Sequence, residues 1–182
     1  MTTDDHLTRD PLGTVVRDGD RVGVRYERRV AHPREKVWRA ITESSELRHW
    51  MPTDIVGERR SGAPVELTFW PDVVERYEIE EPTLPGQIIT WDPPSVFEWT
   101  WDTDRLRFEL SDDGDGTRLV LTTWFGDTSE GYATQSAAGY HACLANLREL
   151  LDTGSAPPLI DVDARSLEPD YAALVQAPAP AG

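Results

Sequence analysis

Apolar and polar positions alternate through the middle of the chain, and on both sides of that stretch they recur at helical spacing. In "VFEWTWD", Phe97, Trp99 and Trp101 fall on one face, with Glu98 and Thr100 on the other. In "RLRFEL", Leu106, Phe108 and Leu110 oppose Arg105, Arg107 and Glu109; the turn between these two runs is short, so their apolar faces should coincide. Val65, Leu67 and Phe69 share a face in "PVELTF", as do Val73, Glu75, Tyr77 and Ile79 in "VVERYEI". In "TRLVLTTWF" both alternating sets are fairly apolar, and the inward register stays open. The pattern predicts strands at 53–58, 64–70, 73–80, 86–91, 95–102, 105–111 and 117–125. Turn signals separate most of them, including Ser61-Gly62, Pro71-Asp72, Pro93-Pro94 and "DDGDG" at 112–116. Successive strands with short links imply an antiparallel meander. Upstream, "TVVRDGDRVGVRYERRV" predicts two extended runs around an Asp-Gly turn.

Helical spacing appears in three places. In "HPREKVWRAIT", Pro33 suits a first turn and Val37, Trp38 and Ile41 line one side. A shorter helix is predicted at "SSELRHW", and a long one through "TSEGYATQSAAGYHACLANLRELLDTG", ending near Gly154. At about 100° per residue, the long helix carries an apolar arc centred on Tyr140 and Leu147, with Ala138, Ala142, Ala145 and Glu149 on the reverse. His141 and Cys143 fall at opposite margins of the arc, about 160° apart, so they cannot share a proton or a metal ion. Cys143 reads as a small core residue. His141 reads either as a hydrogen-bonded histidine at the edge of the core or as a polar contact at the mouth of a pocket.

These elements give an α+β chain: a first strand pair, two short helices, an antiparallel sheet, and a long helix that alone can cover the sheet's apolar face. Residues 1–12 are expected to be flexible, 13–154 to form one domain, and 155–182 to be a Pro/Ala-rich acidic tail. In that tail "SLEPDYAALV" makes a turn or two of helix and "APAPAG" is disordered.

Composition adds constraints. The net charge of −15 would repel nucleic-acid phosphate and anionic lipid, so neither is expected as a partner. No run of about 18 apolar residues spans a bilayer, the start "MTTDDHLTRD" has no apolar signal segment, and a single cysteine fits a reducing, cytoplasmic setting. There is no glycine-rich phosphate loop, no Cys-x-x-Cys or His-x-x-x-His pair, and no Gly-x-Ser-x-Gly elbow, so no cofactor and no metal is expected. The seven tryptophans, mostly in strand segments, either fill a core or line a ligand cavity. If Tyr77 points inward, so does Glu75; a carboxylate in an aromatic cavity would have a raised pKa and act as an acid or base. Otherwise Glu75 reaches water near its strand's start.

Placed in this order, "RYERRVAHPREKVWRAITESSELRHWMP" (25–52), "GERRSGAPVELTF" (57–69), "WDPPSVFEWTW" (91–101), "LRFELSDDGDGTRLVLTTWF" (106–125) and "AAGYHACLANLRELL" (137–151) resemble the SRPBCC, START-like superfamily. The bacterial branch of the family of homologues of the activator of the heat-shock-protein-90 ATPase is the most similar. Tyr140 departs from that branch, which often has Trp there. The resemblance implies a helix-grip fold: a curved antiparallel sheet wrapped around the C-terminal helix, two short helices closing one end, and an apolar cavity between sheet and helix. It implies no particular reaction. The expected function is binding of a small apolar or aromatic molecule by Phe69, Tyr77, Trp99, Trp101, Phe108, Tyr140, His141 and Leu144. One alternative is a cyclase- or hydrolase-like enzyme using Glu75 or His141 in the same cavity. The other is a protein-interaction role, with a chaperone or a second copy of the chain as partner; the separate N-terminal domain of eukaryotic co-chaperones of this family is not present in the sequence.

Overall fold

The computed structural model describes residues 3–127 and 129–177. Its described residues form one eight-stranded antiparallel sheet and six helices. A helix α1 (Thr3–Thr8) precedes the hairpin of β1 (Thr14–Asp18) and β2 (Arg21–Val30), whose tight turn uses Gly19 at φ 58°. Helices α2 (Arg34–Thr42) and α3 (Ser44–Leu47) then carry the chain to the far edge of the sheet. The meander runs back through β3 (Thr53–Gly57), β4 (Pro64–Phe69), β5 (Thr83–Asp92), β6 (Val96–Trp101), β7 (Asp104–Asp113) and β8 (Gly116–Trp124), with α4 (Pro71–Tyr77) between β4 and β5. Because β8 also pairs with β2, the sheet order is β1-β2-β8-β7-β6-β5-β4-β3. Helix α5 (Glu130–Thr153) ends on Gly154 at φ 81°. Two 3-10 turns (Leu159–Asp161, Ala164–Leu167) and α6 (Glu168–Gln176) follow.

The period-two pattern determines what faces α5. Phe97 pairs with Phe108, Phe108 with Leu121 and Leu121 with Tyr26, making one buried rung across four strands; Trp99, Leu106, Thr123 and Val24 make the next. All eight are at most 1% exposed. The open register of β8 therefore resolves with Leu119, Leu121 and Thr123 inward. Phe97 and Trp99 stack at 4.4 Å, Trp99 and Phe108 at 6.0 Å, and Trp50 meets Phe108 edge-on at 5.9 Å. Burying rings of this size contributes roughly 2–3 kcal/mol each. The Tyr26 hydroxyl donates to the Ala137 carbonyl at 2.8 Å, tying sheet to helix. On the outer face Glu98, only 3% exposed, is covered by Arg105 at 2.7 Å and Arg107 at 2.8 Å.

Three parts of the structure differ from the sequence pattern. The strand expected at 73–80 is α4 instead. Pro71 opens it, Asp72 sits in its first turn, Arg76 in its last, and Glu78 stops it in the left-handed region at φ 50°. In so short a run, Val73 and Tyr77 fit four-residue helical spacing as well as alternation. The long helix is not one-sided: Ala138, Ala142 and Ala145, on the expected solvent face, are at most 4% exposed. Both ends of the chain cover that face. Residues 1–12, expected to be flexible, include α1, whose Leu7 is 2% exposed in the core. From the tail, α6 docks Tyr171 (0% exposed) and Val175. Residues 178–182, most of the "APAPAG" expected to be disordered, lie outside the described residues.

Polar ties hold these ends in place. The Leu7 carbonyl can only accept, so His141 Nε2 carries the proton donated to it at 2.9 Å. That leaves His141 Nδ1 to accept from the Tyr171 hydroxyl at 2.8 Å. The same hydroxyl accepts the Gly13 N–H. Asn146, fully buried, donates to the His49 and Pro157 carbonyls and meets His6 Nε2 through its Oδ1 at 2.9 Å. Asp10 takes both Arg148 donors at 2.8 Å, with Arg28 at 3.4 Å.

A candidate ligand cavity between sheet and helix

The aromatic core fills the middle of the space between sheet and helix. A cavity of about 380 Å³ opens beside it, toward the β3–β6 side of the sheet. Its sheet wall is Phe69, Leu84 and Trp101, from the ends of β4, β5 and β6, with the Phe69 and Trp101 rings 5.8 Å apart. Helix α4 adds Val73 and Tyr77. Helix α5 adds Tyr132, Ser136, Gly139, Tyr140, Ala142 and Cys143; most of these repeat at three- and four-residue intervals and so form one stripe. The tail closes the far side with Leu159, Ile160, Val162 and Ala164. Gly139 stands at the centre of the helical wall, and a Cβ built on it meets nothing within 4 Å.

One corner is polar. The turn between β6 and β7 places Asp104, 5% exposed, at the cavity. Its Oδ1 accepts the Gly126 N–H at 2.8 Å and its Oδ2 accepts the Tyr132 hydroxyl at 2.8 Å. Burial raises the Asp104 carboxyl above its usual range, against the lowering effect of those two donors. Burial and the neighbouring Asp104 push the Tyr132 phenol up as well. Tyr140, 8% exposed, is raised chiefly by burial and then by Asp104 and Tyr132. Burial pushes the Cys143 thiol up to about 12, so Cys143 lines the cavity as an unreactive apolar group. Among the described residues, no group of three or more His, Cys, Asp or Glu is arranged to hold a metal ion.

Of the ligand residues expected from sequence, Phe69, Tyr77, Trp101 and Tyr140 line this cavity. Tyr77 does so from a helix, and is 58% exposed at its rim. Trp99, Phe108 and Leu144 do not line it; they are packed in the core at 0%, 1% and 2% exposure. His141 also lies outside the lining, on the opposite side of α5 in the tie to Leu7 and Tyr171, where burial lowers its pKa to about 4. Glu75 is exposed on α4 and does not line the cavity, because a helix turns it away from Val73 and Tyr77. Neither of the two expected acid–base candidates is therefore in position to act on a molecule bound there. Sequence reasoning missed Asp104, Tyr132, Ser136, Gly139, Cys143 and the tail residues. The helical stripe that includes Tyr132, Ser136, Gly139, Tyr140 and Cys143 was a usable signal; nothing local marked Asp104 or Leu159.

Comparison with known proteins agrees with this architecture. A family model described as activator of Hsp90 ATPase homolog 1-like protein matches residues 31–152. No curated protein matches the chain significantly in sequence. Among solved structures, it is similar to a conserved protein of unknown function, EF2215 from Enterococcus faecalis, at TM-score 0.74 and 22% identity, covering 94% of this chain and 95% of that one. CalU16 from Micromonospora echinospora is similar at TM-score 0.65 and 19% identity, over 91% of this chain and 96% of the other. MLL2253 from Mesorhizobium loti follows at TM-score 0.59 and 20% identity, over 71% and 96%. At these identities the structural likeness concerns the fold.

Proposed function

We propose that this chain, which belongs to the activator of Hsp90 ATPase homolog 1-like family, is a binding protein for a small apolar or aromatic molecule held between sheet and helix. The observation that carries this reading is Gly139. Glycine in a helix interior costs roughly 1 kcal/mol relative to alanine, and here the space that a side chain would occupy is open cavity. The volume of about 380 Å³ lies in the range of roughly 300–1,000 Å³ typical of small-molecule sites. Aromatic and aliphatic walls would supply affinity, and Asp104, Tyr132 and Tyr140 would orient the guest. The buried free thiol of Cys143 supports a reducing, cytoplasmic setting.

The test is a thermal-shift screen of hydrophobic small molecules followed by calorimetry on wild type and Gly139→Phe, whose ring would occupy the cavity. Wild type should be stabilised by its ligand and the variant should keep its melting temperature but lose binding by at least tenfold. Equal binding by both proteins would sink the reading. The hydrogen-bonded Asp104–Tyr132 pair favours a second reading, acid–base catalysis on the bound molecule; turnover of a cavity ligand that Asp104→Asn abolishes would establish it. The chaperone-partner reading rests on the family's description alone and is tested by pull-down with the host chaperone.

A further inference from the structure

Among the described residues, the buried Glu98 and the partly buried Asp10 are each paired with two arginines, whereas the buried Asp104 is not. Glu98 has Arg105 at 2.7 Å and Arg107 at 2.8 Å; Asp10 has Arg148 at 2.8 Å and Arg28 at 3.4 Å. Asp104, 5% exposed, has no cationic partner among the described residues. Its two hydrogen bonds come from neutral donors, the Gly126 N–H and the Tyr132 hydroxyl. Each carboxylate oxygen accepts only one of them and keeps a further lone pair. A second carboxylate, Asp102, also lines the cavity, and no Lys, Arg or His does.

The surroundings of Asp104 suit a cation. Tyr140 is 8% exposed, lines the same cavity, and its hydroxyl takes no hydrogen bond among the described residues. Phe69, Trp101 and Tyr132 bring further aromatic rings to the lining. Aromatic faces attract a cation by roughly 0.5–2 kcal/mol, and a carboxylate in a partly desolvated site attracts it more strongly than one in water. An anionic head would meet two carboxylates and no counter-charge. A neutral hydroxyl would satisfy Asp104 as a donor but leave its charge unpaired.

We infer that the guest is an amphiphilic amine, with its apolar or aromatic body against Phe69, Trp101 and Leu159 and its protonated nitrogen at Asp104 beside the Tyr140 hydroxyl. This rests on the ligand-binding reading above and narrows it to one charge class. Burial raises the Asp104 carboxyl, and an ammonium group beside it would lower it again.

The test uses three probes that share one body: 2-(1-naphthyl)ethylamine, 2-(1-naphthyl)ethanol and 1-naphthylacetate. Each is titrated calorimetrically at neutral pH into the full chain, into Asp104→Asn, whose side chain retains an acceptor for Gly126, and into Gly139→Phe. Wild type should bind the amine at least tenfold tighter than the alcohol and the acetate most weakly. Asp104→Asn should bring the amine-to-alcohol ratio close to one, and Gly139→Phe should weaken all three. If Asp104→Asn does not fold, the wild-type ratio still decides. The alcohol or the acetate binding as tightly as the amine would overturn this inference and leave the apolar-pocket reading intact. Binding by none of the three, with Gly139→Phe indistinguishable from wild type, would overturn both.

Discussion

His141, read from the sequence as a core-edge histidine or a pocket contact and, in one alternative, as an acid–base group, is a structural residue in the fold. Its ring is fully buried, donating to the Leu7 carbonyl and accepting from Tyr171, and both bonds are satisfied by the neutral imidazole. Its folded pKa, about 4, lies below the ordinary histidine value of 6.5. The unfolded chain therefore binds the proton first as pH falls, and stability from this group is full above about 6.5 and is lost on descent toward 4. The loss between pH 7 and pH 5 should be about 2 kcal/mol, read as a lower urea midpoint. His141→Gln should start less stable at pH 7 and show a flatter slope over the same interval; equal slopes in both proteins would remove the role. Helical spacing correctly separated His141 from Cys143. It could not say which side faced the cavity, because that depends on which chain segments cover the helix.

The elements differed in how far their pattern could be read. In β6 and β7, alternation placed Phe97, Trp99, Leu106 and Phe108 on one face, and the observed register pairs them that way. Alternation works there because a strand with one buried face has only two choices of phase. In 73–80 the same alternation misled, since a seven-residue helix and a short strand share too few positions to separate them by period alone, and Pro71 was the better signal. Helix α5 was located correctly, but its burial depends on α1 and the tail, whose weak patterns concealed Leu7, Tyr171 and Val175. Deleting residues 155–182 would uncover Ala138, Ala142 and Ala145 and remove the buried Val162, Leu167, Tyr171 and Val175. At roughly 1.5–3 kcal/mol per large side chain, the melting temperature should fall by at least about 10 °C. The shortened protein should also lose ligand binding. A melting temperature unchanged by the deletion would show that the tail does not support the fold.

For the whole molecule, the family-level fold was legible because the order of strands, short helices and long helix is itself distinctive; the cavity's position was not, because it depends on where the aromatic stack stops. The charge of −15 comes from 33 acidic against 18 basic side chains. Partly buried pairs such as Glu98 with Arg105 and Arg107 are screened less by salt than the net surface repulsion is. Raising monovalent salt from about 10 to about 500 mM should therefore raise the melting temperature, by at least about 2 °C, in a differential scanning experiment; a fall would mean that exposed ion pairs outweigh the repulsion. The family match ends at residue 152, but Leu159 and Ile160, which close the cavity, lie beyond it and are only half-buried. Most of the cavity wall, including Asp104, Gly139 and Tyr140, thus lies inside the shared scaffold, and only its closing edge is written beyond it. Exchanging a few side chains of that edge would reshape the entrance while leaving the grip of sheet on helix untouched.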